Sequence, residues 1–213
     1  MLQALFLLIS LLSLLLFYYG TGKNKRLVFT FSTWQIVIGA LSITQVFKNK
    51  PILFIIPIIV TTTIIIWGYR KVDNRKIEKK YLLATHILRI PVELILYQLF
   101  LDGKIPKLMT FEGWNFDILI GISALIILAY QIIRKKKLNR HFYTIWNLVG
   151  ILFLITIVIF AILSAPLPIQ RLAFNQPNIA VLEFPFCFLP TCVVPLIFIS
   201  HFIQLKSIAT TMN

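Results

Sequence analysis

The chain has 213 residues, 59% of them hydrophobic and only 13% charged, whereas an average soluble domain is about 45–50% apolar and about 25% charged. Because the apolar residues come in long uninterrupted blocks, this balance excludes a water-facing globular domain, and the length leaves no room for a soluble module beside a helical bundle. The formal net charge of +14 does not imply a nucleic-acid binder, since Lys and Arg fall in short clusters between apolar blocks and not along one polar face.

Hydrocarbon accepts such blocks only when every backbone amide pairs internally, so each is expected to be a helix. The first block, 2–19, has no basic residue before it, and Tyr18-Tyr19-Gly20-Thr21 offers no small-residue cleavage site. It is therefore expected to stay as a first span. Further spans are expected over 27–47, 52–69, 81–101, 114–133, 142–165 and 179–204. The expected fold is one all-α polytopic transmembrane domain over 1–213, with sequence neighbours packed antiparallel across short connections.

Charge in the connections sets the direction. The first holds Lys23, Lys25 and Arg26. The third holds Arg70, Lys71, Arg75, Lys76, Lys79 and Lys80, and the fifth holds Arg134, Lys135, Lys136, Lys137 and Arg140. The even connections hold only Lys48, Lys50, Lys104, Lys107 and Arg171. Cytoplasmic loops are enriched in Lys and Arg, so the odd connections are expected inside, touching anionic headgroups, with the amino terminus outside and the carboxyl terminus inside. Tyr18, Tyr19, Trp67, Tyr69, Tyr81, Tyr130, Tyr143 and Trp146 fall at the expected inner boundary, as an aromatic belt would, and Trp114 marks the outer one.

Ionisable residues inside spans are costly and point to a site. In the fourth span His86, Arg89, Glu93 and Tyr97 lie within an arc of about 80° on one helix face. Arg89 and Glu93, at i and i+4, are expected to pair directly. Pro91 between them removes one backbone bond and kinks the helix. The residues fit either a polar site in the bundle interior or a self-neutralising pair that locks helix packing. In the seventh span Pro185, Pro190 and Pro195 are expected to bend or break the helix, as in transporters whose freed backbone groups line a cavity.

His86 and His201 are expected at similar depth on different helices, where facing histidines can hold haem or, with a carboxylate, a metal. No HxxxH, HExxH or Glu-x-x-His motif supports either, and helix-to-helix hydrogen bonding is the commoner use of such residues. No lysine within the seventh span offers a retinal Schiff base. On the outer side Glu112, Asp117 and Glu183 are expected to converge near Arg171, with Asn175 on the same loops. Thr110 or Asn115 is expected to cap the fifth helix, with the acidic residues near its positive end. Cys187 and Cys192, five positions apart in an apolar block, read as small buried hydrophobes.

Arg89-Ile-Pro-Val-Glu93, Met109-Thr-Phe-Glu-Gly-Trp-Asn-Phe-Asp117, Asn175-Gln-Pro-Asn178 and Phe184-Pro-Phe186 resemble segments of uncharacterised multi-span inner-membrane proteins of Bacteroidota-type bacteria. The resemblance covers the second half of the chain and implies a bacterial inner membrane, with no activity attached.

The expected function is binding or transport of a small molecule, lipid or ion through a polar site between spans 4, 5 and 7. A non-catalytic accessory subunit, held to a membrane-protein partner or a second copy, is the next reading. A membrane-embedded enzyme acting on a lipid-borne substrate is the third, weakened because the histidines lie toward one face and most carboxylates toward the other.

Overall fold

The computed structural model describes residues 1–136 and 138–210. Lys137, counted above in the fifth connection, lies outside the described residues, as do 211–213. Seven helices among the described residues are long and apolar enough to cross a membrane: α1 (Leu2–Gly20), α2 (Lys25–Ile43), α3 (Pro51–Lys71), α4 (Lys79–Leu101), α5 (Asp117–Arg134), α6 (Arg140–Ser164) and α7 (Leu189–Ile208). No strand occurs among the described residues.

Local chemistry explains several helix ends. Asn24 caps α2 by accepting the Leu27 N–H, and Asn139 caps α6 by accepting those of His141 and Phe142. Pro51 opens α3, where its missing N–H costs nothing. The second span is shorter than expected. Gln45 sits in the left-handed region at φ 59° and separates α2 from a short helix, Val46–Asn49. Inside α4 the regular helix stops at Ile87 and resumes at Arg89. Ile87 carries the carbonyl that Pro91 cannot bond, so the expected kink falls one turn before the proline.

The largest departure is at α7. The expected span began at 179, but residues 179–188 are turns and one short 3-10 segment (Ala180–Leu182). Helix starts only at Leu189, with a π-helical turn (Leu189–Val193) followed by regular helix (Val194–Thr210). Pro190 and Pro195 both fall in these opening turns. The π turn absorbs the bond that Pro195 cannot make to Thr191. The prolines therefore shape the beginning of α7 and do not break its middle.

α4 and α7 form the centre. In their apolar windows 61% and 72% of residues are buried, against 22–33% in the other five. α4 packs on α1, α5 and α7, while α7 also packs on α3 and α6. The outer helices turn Leu8, Leu11, Ile59, Ile126, Ile133, Ile145 and Leu152 outward, an aliphatic perimeter far beyond the patches a soluble monomer exposes.

The even connections knit together at one end of the bundle. The N–H groups of Ile179 and Ala180 both bond to the Lys104 carbonyl, Gln176 donates to the Phe100 and Ile105 carbonyls, and Glu183 receives Lys104 at 2.6 Å and Lys48 at 3.4 Å. At the opposite end the first and third connections join, with the Glu78 N–H donating to the Gly20 carbonyl and the Asn24 amide donating to the Lys71 carbonyl.

A buried polar network as the candidate functional site

The polar residues of α4 do not pair with each other. Arg89 is 2% exposed, and its Nη1 donates to Asp117 Oδ1 on α5 at 2.9 Å. Its Nη2 donates to the Gly150 carbonyl at 3.4 Å and to His201 Nε2 at 2.9 Å. Glu93 is held from outside its helix by Asn115, whose Nδ2 lies 2.7 and 2.8 Å from its two oxygens and also donates to the Met109 carbonyl. The expected direct Arg89–Glu93 pair is thus replaced by two cross-helix contacts. The reason is reach: a guanidinium on the α4 surface finds Asp117 and His201 on packed neighbours before it folds back along its own helix. Asn115 does not cap α5, whose N-cap is Phe116 without a side-chain bond, but its Oδ1 accepts the Asp117 N–H at 3.1 Å, so one side chain ties Glu93 to the start of the helix that carries Asp117.

The network continues toward the basic end. His201 Nδ1 meets Asn147 Oδ1 at 2.8 Å, Asn147 Nδ2 donates to the Tyr143 carbonyl, and the Tyr143 hydroxyl donates to Gln204 Oε1. Gln204 Nε2 lies 3.1 Å from His86 Nε2. These contacts assign the imidazole protons. Arg89 can only donate, so His201 Nε2 accepts and its proton sits on Nδ1, facing Asn147. The Gln204 carbonyl is taken by Tyr143, so its amide donates to His86 Nε2, and the His86 proton sits on Nδ1. Both imidazoles are neutral in this arrangement. His86 Nδ1 and Arg89 Nε are buried without a hydrogen-bond partner.

The two imidazoles touch, with ring centroids 3.9 Å apart and planes at 34°. They leave no space between them for haem iron or a metal ion, and both His201 nitrogens are occupied by protein groups. No group of three or more His, Cys, Asp or Glu suited to a metal occurs among the described residues. Gly150 permits this packing, since a Cβ there would run into the His201 ring.

Other expected site residues lie elsewhere. Tyr97 is half-buried and donates to Glu112 at 2.9 Å, and Glu112 also pairs with Lys107 at 3.5 Å. Arg171 and Asn175 are exposed. The three carboxylates expected to converge on Arg171 do not: Glu112 pairs with Lys107, Asp117 with Arg89, and Glu183 with Lys104 and Lys48. Partial burial raises the Glu183 pKa, but the bonds and charge of Lys104 and Lys48 outweigh it and hold the carboxyl below its ordinary range.

Tyr143, Asn147 and Gln204 escaped the sequence reading. Tyr143 and Trp146 belong to the core and not to an interfacial belt, being 8% and 7% exposed. Trp146 donates to Ser123 and stacks on Tyr143. A usable signal was present: Tyr143, Asn147 and Gly150 at i, i+4 and i+7, and His201 and Gln204 at i and i+3, each mark one helix face.

Beside the network runs a groove of about 730 Å³. α3 and α6 both pack on α7 but hardly on each other, and the space between them is the groove. Its walls are aliphatic and aromatic, including Ile58, Ile65, Leu154, Val158 and Phe198, and it extends from Tyr69 and Arg70 to Ala165 and Leu167. Arg89, Glu93 and Asp117 line it between these ends. An apolar cavity with a few convergent polar groups is the usual form of a small-molecule site.

No curated protein and no solved structure matches the chain. The family described as domain of unknown function DUF8737 matches residues 46–209, which hold every network residue and the whole groove lining. The chain belongs to that family.

Proposed function

We propose that the chain is a seven-span integral protein of the bacterial inner membrane that binds or transports a hydrophobic small molecule or lipid. The amino terminus lies outside, and the first, third and fifth connections lie in the cytoplasm against anionic headgroups. The aliphatic perimeter and the one-sided distribution of Lys and Arg support this placement. The observation that carries the ligand reading is the groove itself: apolar along its length, open between α3 and α6, and reaching Arg89, Glu93 and Asp117 in the bundle interior. A purely structural ion pair needs no cavity beside it.

The test is mass spectrometry of organic extracts from detergent-purified protein, with Val158→Trp as the groove-filling variant. Val158 lines the groove and is half-buried, so the larger side chain has room to project into it. The proposal expects one amphiphile enriched near one per chain in the wild type and depleted in Val158→Trp. Identical lipid profiles in both proteins, matching micelles from the same membrane, would sink it.

The groove runs the height of the helices, so it also has the form to seat a spanning helix of a partner or a second copy. That observation favours the accessory-subunit reading as the alternative, and a stoichiometric protein recovered at the expense of the amphiphile would establish it. The enzyme reading draws less support, because Glu112, Asp117 and Glu183 each pair with a different cation and form no shared acidic cluster.

A further inference from the structure

The charge on the groove wall selects among ligands. The groove meets two carboxylates, Glu93 and Asp117, and one guanidinium, Arg89, away from its ends. The hydrogen bonds of His86 and His201 assign both as neutral. With both carboxylates ionised the wall carries one negative charge more than Arg89 balances, an excess so costly in these surroundings that the second carboxyl ionises only with a further cation against it.

The excess falls on Glu93. Asp117 has the ion pair with Arg89 at 2.9 Å, whereas among the described residues the only side-chain donor bonded to Glu93 is the uncharged amide of Asn115. A carboxylate offers about four acceptor positions, so Glu93 retains capacity for a further donor. Arg89, which also lines the groove, has an unmet group of its own: its Nε is buried and without a hydrogen-bond partner among the described residues. Arg70, at the far end of the groove, is exposed among the basic connections and does not balance Glu93.

We propose that the groove takes a long-chain organic cation, an amphiphile whose ammonium group docks on Glu93 and whose apolar chain lies between α3 and α6. An oxygen acceptor next to the ammonium gives Arg89 Nε its partner. This rests on the ligand-binding reading above and narrows it to one charge class. The volume of the groove, about 730 Å³, and its apolar lining from Phe54 to Arg70 of α3 suit an extended alkyl chain, and the lack of a cation against Glu93 suits a head carrying +1. A fatty acid or anionic lipid would bring a negative charge that Arg89, already paired with Asp117, does not balance.

The experiment compares three probes of one chain length, dodecylamine, dodecanol and dodecanoate, by native mass spectrometry of the full chain released from micelles. Wild type, Glu93→Gln and Val158→Trp are measured in parallel. Glutamine keeps the acceptor that Asn115 needs, and a thermal unfolding scan in the same detergent verifies that the variant is folded. The expected result is a one-to-one dodecylamine adduct, with dodecanol and dodecanoate weaker by about tenfold or more. Glu93→Gln should lower dodecylamine binding by a similar factor and leave dodecanol unchanged, while Val158→Trp should weaken all three. Equal binding of the three probes, a preference for dodecanoate, or dodecylamine binding unchanged in Glu93→Gln would each overturn the charge inference while leaving the groove reading intact. Binding of every probe unchanged in Val158→Trp would overturn both.

Discussion

Removing the Arg89 guanidinium strands the Asp117 carboxylate in the bundle interior, and breaking a buried pair from one side costs about 3–5 kcal/mol. Arg89→Met should therefore lower thermal stability in detergent strongly, and Asp117→Asn added to it should recover part of the loss. A single variant as stable as the wild type would show that the pair contributes nothing to the fold. Gly150→Ala should cost about 1–3 kcal/mol by overpacking, because its methyl group meets the His201 ring. The same unfolding scan checks it. At this scale the sequence announced charge well and partnership poorly. Arg89 and Glu93 stood out because a charge in an apolar block is conspicuous. Their partners Asp117, Asn115 and His201 arrive through space from other helices, and no spacing within α4 encodes them. Tyr143 has the composition of a boundary residue and was misplaced for that reason, although its spacing to Asn147 marked a buried face.

Between elements, Glu183 staples the even connections through Lys104 and Lys48. Its folded-state pKa lies below the ordinary value of 4.5, so its stabilising contribution is complete above that value. The contribution is lost as pH falls through the lower, folded-state pKa. Thermal stability should accordingly drop below about pH 4.5 in the wild type and drop less in Glu183→Gln, as a pH series of unfolding scans would read. Identical profiles would remove Glu183 from the account. The break in α4 was legible because a proline has one defined missing bond. The late start of α7 was not. Residues 179–188 are as apolar as a span, and hydropathy alone does not separate a helix from an apolar loop packed against other helices. Buried turns at Phe184-Pro185-Phe186 replaced the expected first helical turns, with Phe186 packing on Phe6 of α1.

For the whole molecule, the seven long apolar helices followed from block length and composition, signals that do not depend on tertiary contacts. The central position of α4 and α7 was foreshadowed by their polar residues and prolines, which need neighbours on several sides. The groove was invisible, because it is the space between α3 and α6, two helices that differ little in composition from the rest of the perimeter. Orientation has its own check: a membrane-impermeant amine reagent applied to intact cells should leave Lys76 and Lys135 unmodified and label them after the membrane is opened. Labelling in intact cells would reverse the topology. The central claim, that the groove holds an amphiphile with its polar end at the α4 cluster, is tested most directly by an experimental structure of the protein in lipid nanodiscs. The account predicts elongated non-protein density between α3 and α6 that ends against Glu93 and Arg89. Helices α3 and α6 closed on each other, with Glu93 sealed from the lipid, would contradict it.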